Sequence, residues 1–369
     1  MTRPRSALAL VLLAAGCSEP ASGSSFTTTT ITTASLGSSS TSSTSSSSSV
    51  GGSDSNSTSA VAGSSTGPGS PDLPEFETLG PVQGCGKIDV LFVINDGGSA
   101  KDWYGKKLGA EDALKIRNGA NGFIAAMQEQ AADYDLHVMV VKGDPVWRGL
   151  NGPSSCCVMD KPCDELGVYP CDNMWEGVTS CDSTLGAGVR YPVGFMASNR
   201  DCELADGHRY ITAAQEDFAT TFDCVLNVGQ TGTEAQLYLA AMVQAVGPKL
   251  NAPDGCNAGF LRPDAMLVVV ILSAFEDIDS AGTPEGLAAS LIAAKGGYAD
   301  GIVVVGILAT LEDVVGDQCG DLPTDRTRQF VEGFPTHVLG SYCEPDIGTR
   351  LSEAIGVIQT ACENFTPPG

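Results

Sequence analysis

Three short runs constrain this chain most: Ile88 to Ile94 (IDVLFVI), Ala265 to Leu272 (AMLVVVIL) and Gly301 to Leu308 (GIVVVGIL). Each is rich in β-branched residues, apolar on both faces, and too short for a buried helix. Such runs belong to central strands of a parallel sheet that is covered on both sides. Leu136 to Val141 and His337 to Tyr342 read as two further strands. Between them lie stretches with helical character: Asp112 to Ala131, Ile211 to Leu226, Glu234 to Val246, Thr283 to Lys295, Thr327 to Gly333 and Ile347 to Cys362. Strands alternating with helices predict an α/β fold with a doubly wound, mostly parallel sheet flanked by helices.

The remainder of the chain is of a different kind. Residues 1–16 carry Arg3 and Arg5 ahead of an apolar run from Ala7 to Ala15, the pattern of a secretory signal and too short to span a bilayer. Leu13-Ala14-Ala15-Gly16-Cys17 resembles a bacterial lipobox, which implies lipidation of Cys17, and Ser18 resembles the sorting pattern for an outer-membrane or cell-surface destination. Residues 17–78 are dominated by Ser and Thr, with nothing else between Ser38 and Ser49. A segment of that composition buries too little apolar surface to offset its ordering entropy, so a disordered tether is expected. A flexible chain of about 57 residues spans roughly 40–45 Å, enough to hold a domain clear of a membrane. On this reading residues 79–369 form the folded domain, and the N-terminal lipid is its only link to a membrane.

Cysteine usage agrees with export. Of thirteen cysteines, setting aside Cys17 leaves twelve, an even number suited to disulfides in an oxidising compartment. Six of these fall within residues 144–206, a Gly-, Pro- and Asp-rich stretch that reads as a disulfide-stapled insertion. Two pairs follow from the expected topology. Cys85 precedes the first strand and Cys362 ends the last helix, at one edge of the sheet; Cys319 and Cys343 both follow strands, at the opposite edge. The three histidines have no zinc-like spacing.

Forty-four acidic against twenty basic residues give a net charge of −24, which excludes the basic field that nucleic-acid binding requires. The motifs of serine hydrolases, zinc proteases, phosphate-binding loops and dinucleotide folds are absent, so no catalytic residue is assigned and the chain is read as a non-enzyme. Of the histidines, only His208, beside Asp206, merits a mutation. Trp147 and Trp175 in or beside the insertion, and Trp103 with Tyr104, either seal loops over the sheet or offer anchors to a partner.

In an open α/β sheet ligands bind beyond the carboxyl ends of the strands, here Asn95 to Ala100, Val228 to Glu234 and Ser273 to Asp279. The run Lys87-Ile88-Asp89-Val90-Leu91-Phe92-Val93-Ile94 with its Gly/Ser loop, the Gly-x-Thr-x-Thr of Gly229 to Thr233 and the VVVILS strand followed by acidic residues resemble von Willebrand factor A-like domains. The resemblance covers residues 85–365 and implies a Rossmann-like sheet and an adhesive role. Members of that family hold a divalent cation in an Asp-x-Ser-x-Ser loop, helped by a Thr and a further Asp. Laid on this chain those positions become Asn95, Gly97, Ser99, Thr231 and Ala274, so both carboxylates and one hydroxyl are missing. Mg²⁺ sheds its waters reluctantly without carboxylates, and a metal-free site is expected, with no cofactor. The alternative is Mg²⁺ or Ca²⁺ held by Ser99, Thr231 and substitutes such as Asp96, Glu276, Asp277 or Asp279. Asp96, Ser99, Thr231 and Asp277 are the candidate ligand-binding residues.

The expectation is thus a lipid-anchored, exported binding module that contacts a protein or cell-surface ligand through strand-end loops and the insertion. An extracytoplasmic hydrolase with an unrecognised site, or a structural envelope protein, are the alternatives.

Overall fold

The computed structural model describes residues 84–96, 110–130, 134–145, 147, 177–193, 197–229, 235–310 and 323–367, all within the compact unit Pro74–Gly369. The leader, the Ser/Thr tether, Cys17, Ser99, Thr231, Cys319 and much of the insertion lie outside them.

Five strands form one all-parallel sheet: β1 (Lys87–Ile94), β2 (Asp135–Lys142), β3 (Met266–Ser273), β4 (Ile302–Leu308) and β5 (His337–Ser341). Their order is β2-β1-β3-β4-β5. Side chains alternate between two cores, as the pleat requires. Ile88, Val90 and Phe92 of β1 and Val268 and Val270 of β3 enter one core. Leu91, Val93, Val269 and Ile271 enter the other. The first core is roofed by α1 (Ala110–Gln130), α2 (Phe218–Leu226) and α7 (Ile347–Glu363). Phe92 sits there between Phe123 and Phe222, with ring centroids 5.9 and 5.0 Å away. The second is roofed by α3 (Tyr238–Ala245), α5 (Pro284–Ala294) and α6 (Asp325–Glu332). The one-turn α4 (Pro248–Asn251) follows α3. Helices on both faces make the sheet doubly wound.

Local chemistry fixes several boundaries. α5 starts where Thr283 accepts a hydrogen bond from the Gly286 amide and Pro284 takes the first helical position. α7 starts where Asp346 caps the Gly348 amide. The stretch predicted helical from Ile211 is helical only from Phe218. Ile211 instead exchanges two backbone hydrogen bonds with Val138 of β2, at 2.9 and 2.7 Å, and is fully buried. The Val189 amide donates to Val140 in the same way. The described part of the insertion and its exit therefore cover the open edge of β2, which would otherwise offer unpaired backbone groups.

Disulfides fasten this arrangement. Cys85–Cys362 ties the start of β1 to the end of α7, where Gly84 and Cys85 also donate to Phe365 and Cys362. Cys181–Cys256 and Cys202–Cys224 run from the insertion to the segment after α4 and to α2. Both described insertion cysteines thus staple the insertion to the scaffold, not to itself. Cys343 is disulfide-bonded. Bonds of this kind mark a chain that matures in an oxidising compartment and is exported.

Buried polar groups hold the insertion as well. Arg209 forms a two-pronged pair with Asp182 at 2.8 Å and donates to the Gly188 carbonyl. Asn257, fully buried, accepts from the Gly188 amide and donates to Gly186 and Ala245 carbonyls. Trp147 is buried, its indole N–H donating to the Tyr191 carbonyl. It seals this region and offers no exposed anchor.

Candidate binding edge at the strand ends

The strand order reverses between β1 and β3: the chain leaves β1 for the layer of α1 and leaves β3 for the layer of α5. The carboxyl edge beside such a reversal is where ligands of open α/β sheets bind.

Asn95 follows β1 at this edge. Its amide nitrogen Nδ2 donates to Ser273 Oγ at 2.9 Å, while that hydroxyl donates to the Phe275 carbonyl at 2.7 Å and accepts from the Phe275 amide. The Ser273 proton is committed to Phe275, so the side chain at 95 must be a donor. An aspartate there would have to draw the Ser273 proton away from the Phe275 carbonyl. The Asn in place of the expected carboxylate is therefore matched to its neighbours. Ala274, at the other missing carboxylate, is buried and offers no side-chain ligand.

Asp96 is the adjacent residue, with its side chain fully buried. Oδ1 accepts from the Asp144 amide at 2.9 Å. Oδ2 accepts no hydrogen bond and lies 3.6 Å from Lys142 Nζ at the end of β2. Burial pushes its pKa up to about 6, against the opposing pull of Lys142 and with a further upward push from Asp144. A carboxylate buried beside an ammonium group already has its counter-ion and is poorly placed to ligate a divalent cation.

Asp277 has another role. It is wholly buried, and Oδ2 accepts from the Leu239 amide at 2.7 Å and Ser280 Oγ at 2.8 Å. Oδ1 accepts from the Ser280 amide and Arg326 Nη1, each at 3.0 Å. Leu239 lies in the first turn of α3, so the carboxylate caps that helix from a neighbouring loop. Arg326 continues to the carbonyls of Asp277, Ser280 and Gly282. Glu276 accepts from the Arg326 and Thr327 amides and the Thr327 hydroxyl. Asp279 accepts from the Gln236 amide. The acidic residues offered as substitute metal ligands thus form a lattice that fixes the β3–α5 loop, and the Asp277 oxygens are spent on it.

Among the candidates, Asp96 faces the end of β2 and Asp277 faces α3 and α6. Ser99 and Thr231 lie outside the described residues. Gly229, which leads to Thr231, has a φ of +72°, and a Cβ there would come within 2.6 Å of Ala197 Cβ, so only glycine fits. Among the described residues no group of three or more His, Cys, Asp or Glu is placed to hold a metal ion. With Asn95 and Ser273 bonded to each other, Ala274 without a donor atom and Asp277 saturated, the described positions do not fit a divalent cation.

Sequence reasoning missed Lys142, Asp144 and Arg326. The first two lie at the carboxyl end of β2, which is not among the three loops named from the sequence; Arg326 is remote in sequence and carries no pattern. It also missed Asp89, a carboxylate inside an apolar strand, which Arg262 grips through both Nε and its backbone amide at 2.8 Å. Burial raises Asp89 to about 6 as well. Lys295 Nζ is buried nearby against the Arg262 and Ala265 carbonyls. This is the amino edge, and it anchors the sheet. The histidines are structural in their contacts: His137 Nδ1 meets the Phe260 carbonyl, His208 stacks on Tyr210, and His337 Nδ1 meets the Phe334 carbonyl.

No known family profile matches the chain, and no curated protein does. Among solved structures it is similar to proximal thread matrix protein 1 from the mussel byssus, with 11% identity over 75% of this chain and 49% of that one and a TM-score of 0.38. It is also similar to the pilus adhesin SpaC from Lactobacillus rhamnosus GG, with 10% identity over 76% of this chain and 32% of that one and a TM-score of 0.36. The chain thus spans about half of the first protein and a third of the second.

Proposed function

We propose that this chain is a binding module of von Willebrand factor A-like type, anchored by lipid on Cys17, that acts by contact and not by chemistry. Its partner is a protein or cell-surface ligand met at the carboxyl edge of the sheet, with the insertion beside it. The observation that carries this reading is the edge itself. A rigid, internally bonded loop, Ser273 to Ser280, stands at this edge and presents Ile278 and Asp279 to solvent. Among the described residues, the strand and loop positions that could ligate a metal are committed to other contacts. The histidines, the commonest general bases, are tied up in packing contacts.

The metal-free part of the reading is tested by calorimetric titration of Mg²⁺, Mn²⁺ and Ca²⁺ into the full oxidised chain after chelator treatment. No heat and no change in melting temperature are expected. Saturable binding that disappears in Ser99→Ala and Thr231→Ala would establish metal-mediated adhesion instead.

A further inference from the structure

Two large apolar side chains stand exposed among the described residues, Leu114 at 49% and Ile278 at 66%. Both lie at the carboxyl edge. Leu114 is in the opening turns of α1, which descends from the end of β1, and Ile278 is in the loop that leaves β3. A lone exposed apolar residue is ordinary. Ile278 differs in what surrounds it. Asp277 before it is held by four donors, and Asp279 after it is pinned to Gln236 in both directions, accepting from its amide and donating to its carbonyl. Arg326 clamps three carbonyls of the same loop. A long side chain on a fixed backbone loses little conformational entropy on docking, the property that makes an anchor effective.

We propose that Ile278 is the anchor of the binding edge and seats in an apolar pocket of a protein partner whose rim carries Lys or Arg. The charge of the rim follows from the anchor's surroundings. Asp279, next in sequence, and Glu285, in the first turn of α5, are exposed, and Asp325 is 58% exposed at the start of α6, against Arg328 at 52% and Arg326 at 21%, within a chain of net charge −24. Opposite charge on the partner steers encounter and sets the orientation in which the pocket meets the side chain.

This inference rests on the contact reading above, and the test separates the two. A phage-displayed library of disulfide-constrained peptides is selected on the immobilised full chain, and affinities of the recovered peptides are measured. The expected result is peptides in which an apolar residue is flanked by Lys or Arg. Their affinity should fall at least tenfold in Ile278→Asp, should weaken as salt is raised, and should be unchanged in Glu363→Lys at the opposite edge. Ile278→Asp should melt with the wild type, because the side chain is already in solvent. Peptides that lose affinity in Leu114→Asp but keep it in Ile278→Asp would overturn the anchor while leaving the binding edge standing. Peptides sensitive only to Glu363→Lys would overturn both.

Discussion

Asp277→Ala is expected to destabilise the fold by about 3–5 kcal/mol, the usual cost of removing one partner from a buried, hydrogen-bonded ion pair. Four donors lose their acceptor at once: the Leu239 and Ser280 amides, the Ser280 hydroxyl and Arg326. Three of them have little access to water, since Leu239 and Ser280 are both buried. α3 loses the acceptor at its N-terminus, and Arg326 keeps its charge in a partly buried position without a counter-ion. Asp277→Asn should cost less, because the amide oxygen still accepts. Urea unfolding of the two variants and the wild type checks this. A loss below about 1 kcal/mol for alanine would show that the loop lattice is not what holds α3.

The second large effect is a pH dependence that belongs to Asp96. Its pKa in the folded chain is raised from 3.8 to about 6, so the folded state keeps the proton over a range in which the unfolded state has lost it. Stability from this group is therefore fully present below pH 3.8 and is lost as pH rises through 6. A shift of this size corresponds to about 3 kcal/mol. Asp89 is raised in the same direction, and His137, lowered by burial, opposes both by favouring the fold at higher pH. A single curve mixes these contributions, whereas the difference between Asp96→Asn and wild type isolates one. Asparagine does not titrate, so the variant should gain on the wild type by about 2 kcal/mol between pH 4 and pH 7. A difference that stays flat over that interval would mean that Asp96 is not held in the environment described.

The fold was legible because apolar strands in a doubly covered sheet have to look apolar on both faces. All five strands fall within one or two residues of the runs that announced them. Helices were less secure where tertiary contacts overrode local preference. Ile211 reads as the opening of a helix but lies against β2, because burying it there also satisfies the backbone of an edge strand. The candidate site was legible in place but not in role. Residues at strand ends could be listed from topology, yet nothing local shows whether a carboxylate turns toward the end of a neighbouring strand, as Asp96 does, or back to cap a helix, as Asp277 does. That depends on Lys142, Asp144 and Arg326, brought in from other strands and helices, and on the proton committed by Ser273. Asn95 looked like the loss of a metal ligand, and in the folded chain it is a donor matched to its acceptor.

The account turns on which edge of the sheet meets the partner, and site-directed photocrosslinking on intact cells measures this directly. One photoreactive residue replaces Ala281, exposed at the carboxyl edge, and another replaces Glu363, exposed at the opposite edge. The account predicts a discrete crosslinked species from position 281 and none from 363. Crosslinking from 363 alone would contradict it and move the binding surface to the amino edge, beside the Cys85–Cys362 disulfide.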